Sequence, residues 1–252
     1  MDSRSQLIPK LKSLRLSGVL QTLEVRNQQA LQEKLAYVEF LERLLEDEIE
    51  RRAHKQLELR LRRAAFSGEK TLEGFDWSFN PSLNRRQIQD LATCQWIERK
   101  EVVLIVGPSG VGKSHLAQAL GQEACRRGFQ ALFTTVVKML GHLNGGRADG
   151  TRDRRLATYL RPDLLILDDY GLTPLRGQDP EDFYEVINER YERGSLLVTS
   201  NRDYGEWAGA FGDNPLLASA ALDRLAHRAH LITITGASYR AHERALVMSA
   251  QA

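Results

Sequence analysis

The chain has 252 residues, 42% of them hydrophobic, enough for one large domain with a smaller unit and a real core. A formal net charge of +2 and a pI near 8.5 exclude a general polycation, so any nucleic-acid role must rest on local basic clusters. Two cysteines, Cys94 and Cys125, are too few for a disulfide framework or a zinc site. No apolar run approaches the roughly 18 residues of a membrane span, and the polar start MDSRSQLIPK lacks a signal-peptide core, so a cytoplasmic, reducing setting is expected.

Leu11 to Val25 is helix-compatible, carrying Leu14, Leu16, Val19, Leu20 and Leu23. Leu31, Leu35, Val38, Leu41, Leu45 and Ile49 recur at three- and four-residue steps, predicting one apolar stripe along a second helix that packs on the first. A basic run follows, Arg51, Arg52, His54, Lys55, Arg60, Arg62 and Arg63, and reads equally as a solvated helix end or a phosphate-contacting face. Residues 1–67 are thus expected to form an N-terminal helical domain that binds a partner or DNA. Residues 68–84, rich in turn formers and aromatics, are expected to form a linker, and 85–252 a second domain. Phe75, Trp77 and Phe79 in the linker are candidates for a base pocket or, alternatively, for anchoring that segment.

From Arg85 onward strands and helices alternate. Strands are predicted at Val102 to Val106, Ala131 to Thr134, Leu164 to Asp168, Leu196 to Ser200 and Leu231 to Ile234, which implies a parallel sheet covered by helices on both faces. The first strand runs into Gly107, Pro108, Ser109, Gly110, Val111, Gly112, Lys113 and Ser114, a complete GxxxxGK[ST] phosphate loop, and His115 opens the next helix. Glycine lets backbone N–H groups approach phosphates, the helix N-terminus adds positive potential, Lys113 can reach the β and γ phosphates, and the Ser114 hydroxyl can ligate Mg²⁺. The third strand ends LLILDD: Asp168 is placed to ligate Mg²⁺, and Asp169 to orient or deprotonate an attacking water. The fourth ends LLVTSN, where Asn201 can hold the same water or the γ phosphate. LDRLAHR precedes the last strand; Arg224, with Arg228 as the alternative, is the candidate guanidinium for phosphoryl charge, supplied to a neighbouring subunit.

Phosphate loop, acidic strand end, polar sensor strand and arginine, in this order, resemble the AAA+ ATPases over roughly Phe75 to Tyr239. More narrowly, LKSLRLSGVLQTL, FDWSFNPSLN, LLILDDYGLTPL and the late ITGASYR look like the IstB family, in the DnaC and IstB branch of the initiator clade. The resemblance implies an α/β P-loop three-layer fold with a five-stranded parallel sheet of order 5-1-4-3-2. It also implies no C-terminal lid, in keeping with the short stretch after the last strand, and Arg240 at a second sensor position. It further implies ATP with Mg²⁺, self-association into a ring or spiral, ATP-dependent binding and remodelling of duplex DNA, and regulation of a partner transposase. A replicative helicase loader is the nearest alternative, and a small-molecule kinase using the same loop a more distant one. Most AAA+ proteins carry Glu where this chain has Asp169; the shorter side chain implies slow hydrolysis at intersubunit sites. Between the second and third strands the initiator clade has an extra helix facing DNA. Lys138, Arg147, Arg152, Arg154 and Arg155 make that segment a candidate phosphate-contacting surface, unless Gly145 and Gly146 make it only a mobile loop.

Overall fold

The computed structural model describes residues 3–81, 83–212 and 214–250, and its internal contacts divide the chain into two compact units, Met1–Leu59 and Arg60–Ala252. The first unit contains α1 (Ser3–Ser13), α2 (Ser17–Glu33) and most of α3 (Tyr37–Arg63), whose last residues belong to the second unit. Two left-handed residues separate these helices, Arg15 and Lys34. At Lys34 the break is a Schellman-type cap: the N–H groups of Lys34 and Leu35 both donate to Ala30 O. The single stripe expected from Leu31 to Ile49 is therefore split between two helices.

The stripe also faces the wrong way for packing. Leu31, Val38 and Ile49 are 74%, 78% and 67% exposed, and the small core is built from Leu11, Val19 and Leu44 with Leu16, Leu20, Leu23 and Phe40 around them. The reason lies at Gly18. A Cβ there would come within 2.7 Å of Glu48 Cα, so α2 and α3 cross closely enough to bury the Phe40, Leu44 and Glu48 row instead. Glu48 is buried because its carboxylate accepts the Gly18 N–H at the start of α2 and also pairs with Arg52.

The second unit holds β1 (Val102–Val106), β2 (Ala131–Thr135), β3 (Leu164–Tyr170), β4 (Ser195–Ser200) and β5 (Ala229–Thr233). They form one sheet of order β2-β3-β4-β1-β5, every pairing parallel, as expected. β5 begins two residues earlier than predicted; it is a half-exposed edge strand whose apolar signal is weak. Leu104, Val106, Leu165, Leu167, Leu196 and Val198 pack on one face against α7 (Val136–Ala148), α8 (Arg152–Leu160), α9 (Asp179–Arg190) and α10 (Pro215–Ala226). On the opposite face α6 (Lys113–Arg126) crosses β1 to β4, with Gly121 set against Ile166. Two short helices, α4 (Arg85–Ala92) and α5 (Gln95–Glu98), lead into β1, and α11 (Tyr239–Ala250) follows β5.

Gly145 and Gly146 lie inside α7, not in a mobile loop. A Cβ on Gly146 would sit 2.8 Å from Arg152 Cα and one on Gly145 2.7 Å from an Arg155 guanidinium nitrogen, so these glycines allow α7 and α8 to close as a tight hairpin.

Candidate functional site

Parallel register brings the strand ends to one edge: Val106 pairs with Ser200 and Thr233, and Thr135 with Asp168. In such a sheet ligands bind beyond these carboxyl ends. A cavity of about 660 Å³ opens there, lined by the loop from Ser109 to His115 and by Asp168, Asp169, Asn201 and Arg240.

The loop's shape depends on glycine at two places. Gly107 has φ 148°, and a Cβ there would lie 2.1 Å from Ile234 O; Gly112 has φ 101° and would clash with Phe75 at 2.8 Å. Lys113 opens α6 beneath the loop, and its ammonium donates to Gly107 O at 2.8 Å, Pro108 O at 2.7 Å and Asn201 Oδ1 at 2.5 Å. Burial pushes the Lys113 pKa down, and the nearby Asp169 and Asp168 carboxylates oppose that shift. Ser114 Oγ donates to Asp168 Oδ1 at 2.9 Å. A hydroxyl and a carboxylate oxygen this close form a hard-oxygen set that fits Mg²⁺, which takes few protein ligands and keeps phosphate and water for the rest.

Asp169 is half-buried at a break in the sheet. Leu167 pairs with Val198 but Tyr170 with Ser200, so Asp168 and Asp169 together oppose Thr199 in a β-bulge, with Asp169 left-handed at φ 59°. Burial pushes the Asp169 carboxyl up, Asp168 adds to the rise, and Lys113 and Arg240 pull the other way. Thr199, absent from the sequence candidates, is fully buried; its hydroxyl donates to Asp168 Oδ1 and accepts the Asp169 N–H at 3.1 Å. A threonine directly after the apolar LLV run, still within a buried strand, was the signal available for it.

The segment ahead of α4 reaches across α6: Ser67 N–H donates to Gln118 at 2.7 Å, Gln122 donates to Lys70 O at 3.0 Å and His115 Nε2 meets Thr71 O at 2.8 Å. Phe75 and Phe79 line the cavity; Trp77 does not, packing edge-on against Phe75 at 5.0 Å with Arg85 over its ring. Phe79 lies 5.0 Å from the Tyr239 ring, the Tyr239 N–H donates to Gly110 O at 3.0 Å, and Arg240 donates to Ser109 Oγ at 3.2 Å, so the start of α11 clasps the phosphate loop.

Arg224 is not brought to this cavity. Its guanidinium donates to Ala220 O and lies over the Tyr184 and Tyr191 rings at 5.4 and 5.9 Å, beside Val102 and Leu196 at the strand starts. Arg228, exposed and left-handed, lies in the same place. The basic residues of the α7–α8 hairpin also part company. Lys138 lines the nucleotide-sized cavity, Arg147 and Arg152 converge on the buried Asp182 with Arg152 also on Glu185, and Arg155 pairs with Asp149. Of the five, Lys138 and Arg154 are exposed with no ion pair among the described residues, and of these two only Arg154 lies away from the cavity, on α8.

A phosphate loop following β1, with an amide and two carboxylates at the ends of the strands beside it, gives the chain a P-loop fold of the AAA+ type. The profile of the IstB-like ATP binding protein family matches residues 9–247, and the chain belongs to that family. It is 42% identical over 235 residues, 93% of either chain, to a protein named for ATP binding in an insertion sequence of Mycobacterium tuberculosis. It is 37% identical to the insertion sequence IS21 ATP-binding protein of Pseudomonas aeruginosa, over 97% of this chain and 91% of that one. Among solved structures, the replication initiator DnaA bound to AMPPCP and single-stranded DNA shares the fold, with a TM-score of 0.55 at 23% identity over 68% of this chain and about half, 51%, of that one. No helix among the described residues is long and apolar enough to cross a membrane.

Proposed function

We propose that the chain hydrolyses ATP at sites completed by a neighbouring copy, and that the ATP-bound assembly grips duplex DNA and regulates the transposase of its insertion sequence. The observation that carries this is the convergence of Lys113, Asn201, Ser114, Asp168 and Asp169 on one cavity at the sheet's carboxyl edge.

In this reading the loop N–H groups from Gly107 to Ser114 and the α6 N-terminus bind the phosphates, Lys113 reaches the β and γ oxygens, and Arg240 covers them from α11. Ser114 and Asp168 would hold Mg²⁺, which supplies charge neutralisation on the phosphates when bound. Asp169, whose carboxylate has no hydrogen-bond partner among the described residues and whose pKa is raised, orients the attacking water and accepts its proton, with Asn201 fixing the water or the γ phosphate opposite. The base lies among Phe75, Phe79 and Tyr239. Arg224 sits too far around the fold to serve its own cavity, which supports its use in trans on a neighbour's phosphates. Names of relatives that share over nine-tenths of the chain support the insertion-sequence setting over helicase loading. DNA contact is assigned to the α7–α8 hairpin through Arg154, since Arg147 and Arg152 are spent on Asp182 and Glu185.

The test measures ATP turnover, particle size and duplex binding for wild type and Lys113→Ala with ATP, ADP and no nucleotide. Turnover and ATP-dependent assembly on duplex DNA in the wild type alone are expected. A protein that stays monomeric with ATP and DNA overturns the assembly, and one as inactive as Lys113→Ala overturns hydrolysis.

A further inference from the structure

Successive residues of a β-strand point to opposite faces, so two adjacent carboxylates at a strand end do not ordinarily enter the same cavity. Asp168 and Asp169 both do. The bulge accounts for this: one extra residue in β3 opposite Thr199 turns Asp169 through a left-handed conformation to the side that Asp168 already faces. A non-glycine residue in that conformation carries strain and persists only where its surroundings fix it. Two hydroxyls from β4 do so. Thr199 Oγ1 accepts the Asp169 N–H at 3.1 Å while donating to Asp168 Oδ1, and Ser200 Oγ donates to Tyr170 O at 2.9 Å just beyond the bulge. Both hydroxyls are buried, so neither contact is shared with solvent.

We infer that Thr199 is a positioning residue for hydrolysis: its hydroxyl locks the bulge that aims the Asp169 carboxylate into the nucleotide cavity, and ties that aim to the position of Asp168. The inference rests on the ATPase reading above. It makes the Asp169 geometry a property of β4 as much as of β3. The strand that leads into Asn201 also sets the orientation of the carboxylate across from it.

The experiment compares single-turnover hydrolysis and ATP affinity at saturating Mg²⁺ for full-length wild type, Lys113→Ala, Thr199→Val, Thr199→Ala, Thr199→Ser, Asp169→Asn and the double variant Thr199→Val with Asp169→Asn. Circular dichroism melting shows which variants are folded. Thr199→Val should lose at least about tenfold in the chemical step with ATP affinity within about threefold, and Thr199→Ser should recover most of the rate. Because Thr199 acts through Asp169, Thr199→Val should cost little further on the Asp169→Asn background. Thr199→Ala gives the same reading where Thr199→Val does not fold. A folded Thr199→Val or Thr199→Ala as fast as wild type overturns the inference, as does a Thr199 loss of equal size on the Asp169→Asn background. A wild type no faster than Lys113→Ala fells the ATPase reading and this inference together; a fast wild type with a fast Thr199→Val fells this inference alone.

Discussion

Asp169 shows how one side chain carries both a cost and a use. Burial and Asp168 raise its pKa, so its ionisation is harder in the folded state than in the unfolded chain. The sign follows: stability attached to this group is full below its ordinary carboxylate range and falls as pH rises through the raised folded value, leaving a penalty at neutral pH. Asp169→Asn removes that penalty and the proposed base together. It should melt at a higher temperature than wild type by differential scanning calorimetry while turnover falls at least about a hundredfold. Wild-type turnover should fall on the acid side at a pH above the usual carboxylate range, and that limb should vanish in the residue left to Asp169→Asn. The loop and its place between β1 and α6 were legible in the sequence because the pattern is local, eight consecutive residues from Gly107 to Ser114. Thr199 was not, because its role exists only once β3 and β4 pair with an extra residue between Leu167 and Tyr170.

At the scale of elements, β1, β3 and β4 were readable because strands buried on both faces leave unbroken apolar runs between turns. The α2–α3 pair misled for the opposite reason: periodicity reports a face but not which face a close crossing selects, and Gly18 against Glu48 decided it. The α7–α8 hairpin shows a similar limit, since a count of arginines does not reveal that Asp182 on α9 claims two of them. Asp182 is wholly buried while Arg147 and Arg152 are 33% and 22% exposed. Asp182→Ala should therefore lower stability by about 3 kcal/mol, the lower end for breaking such a pair, measured by urea unfolding. Arg154→Glu should leave stability unchanged but weaken duplex binding and flatten its dependence on salt by about one unit of log–log slope. An unaltered slope would take the hairpin out of the DNA path.

For the whole molecule, Arg224 lies at the amino edge of the sheet and the phosphate loop at the carboxyl edge, so in the proposed assembly each copy would be both donor and acceptor in a head-to-tail contact. Mixing Arg224→Ala with Asp169→Asn, each nearly inactive alone, should restore turnover at the junctions where an intact Asp169 meets an intact arginine, about a quarter of them in an equal mixture. No recovery would place the arginine elsewhere. The N-terminal unit has its own acid limit: Asp47 is pulled down to about 2 by its hydrogen bonds with Arg26. Its contribution is present above the ordinary carboxylate value and is lost as pH falls toward 2, so Arg26→Leu should move the acid unfolding midpoint of that unit upward, followed by circular dichroism.

The clasp of α11 on the phosphate loop carries one more consequence. The cavity draws walls from Ser67 to Asn80, the loop, the ends of β2 and β3, Asn201 and Arg240, so its pieces, spread over most of the second unit, meet only when that unit is folded. Nucleotide affinity and cooperative folding are then one linked equilibrium: ATP at a hundred times its dissociation constant adds about 2.7 kcal/mol to the native state. ATP is thereby a thermodynamic keystone for the protomer, and in the proposed assembly a drop in its concentration would loosen the protomer along with the contact between protomers.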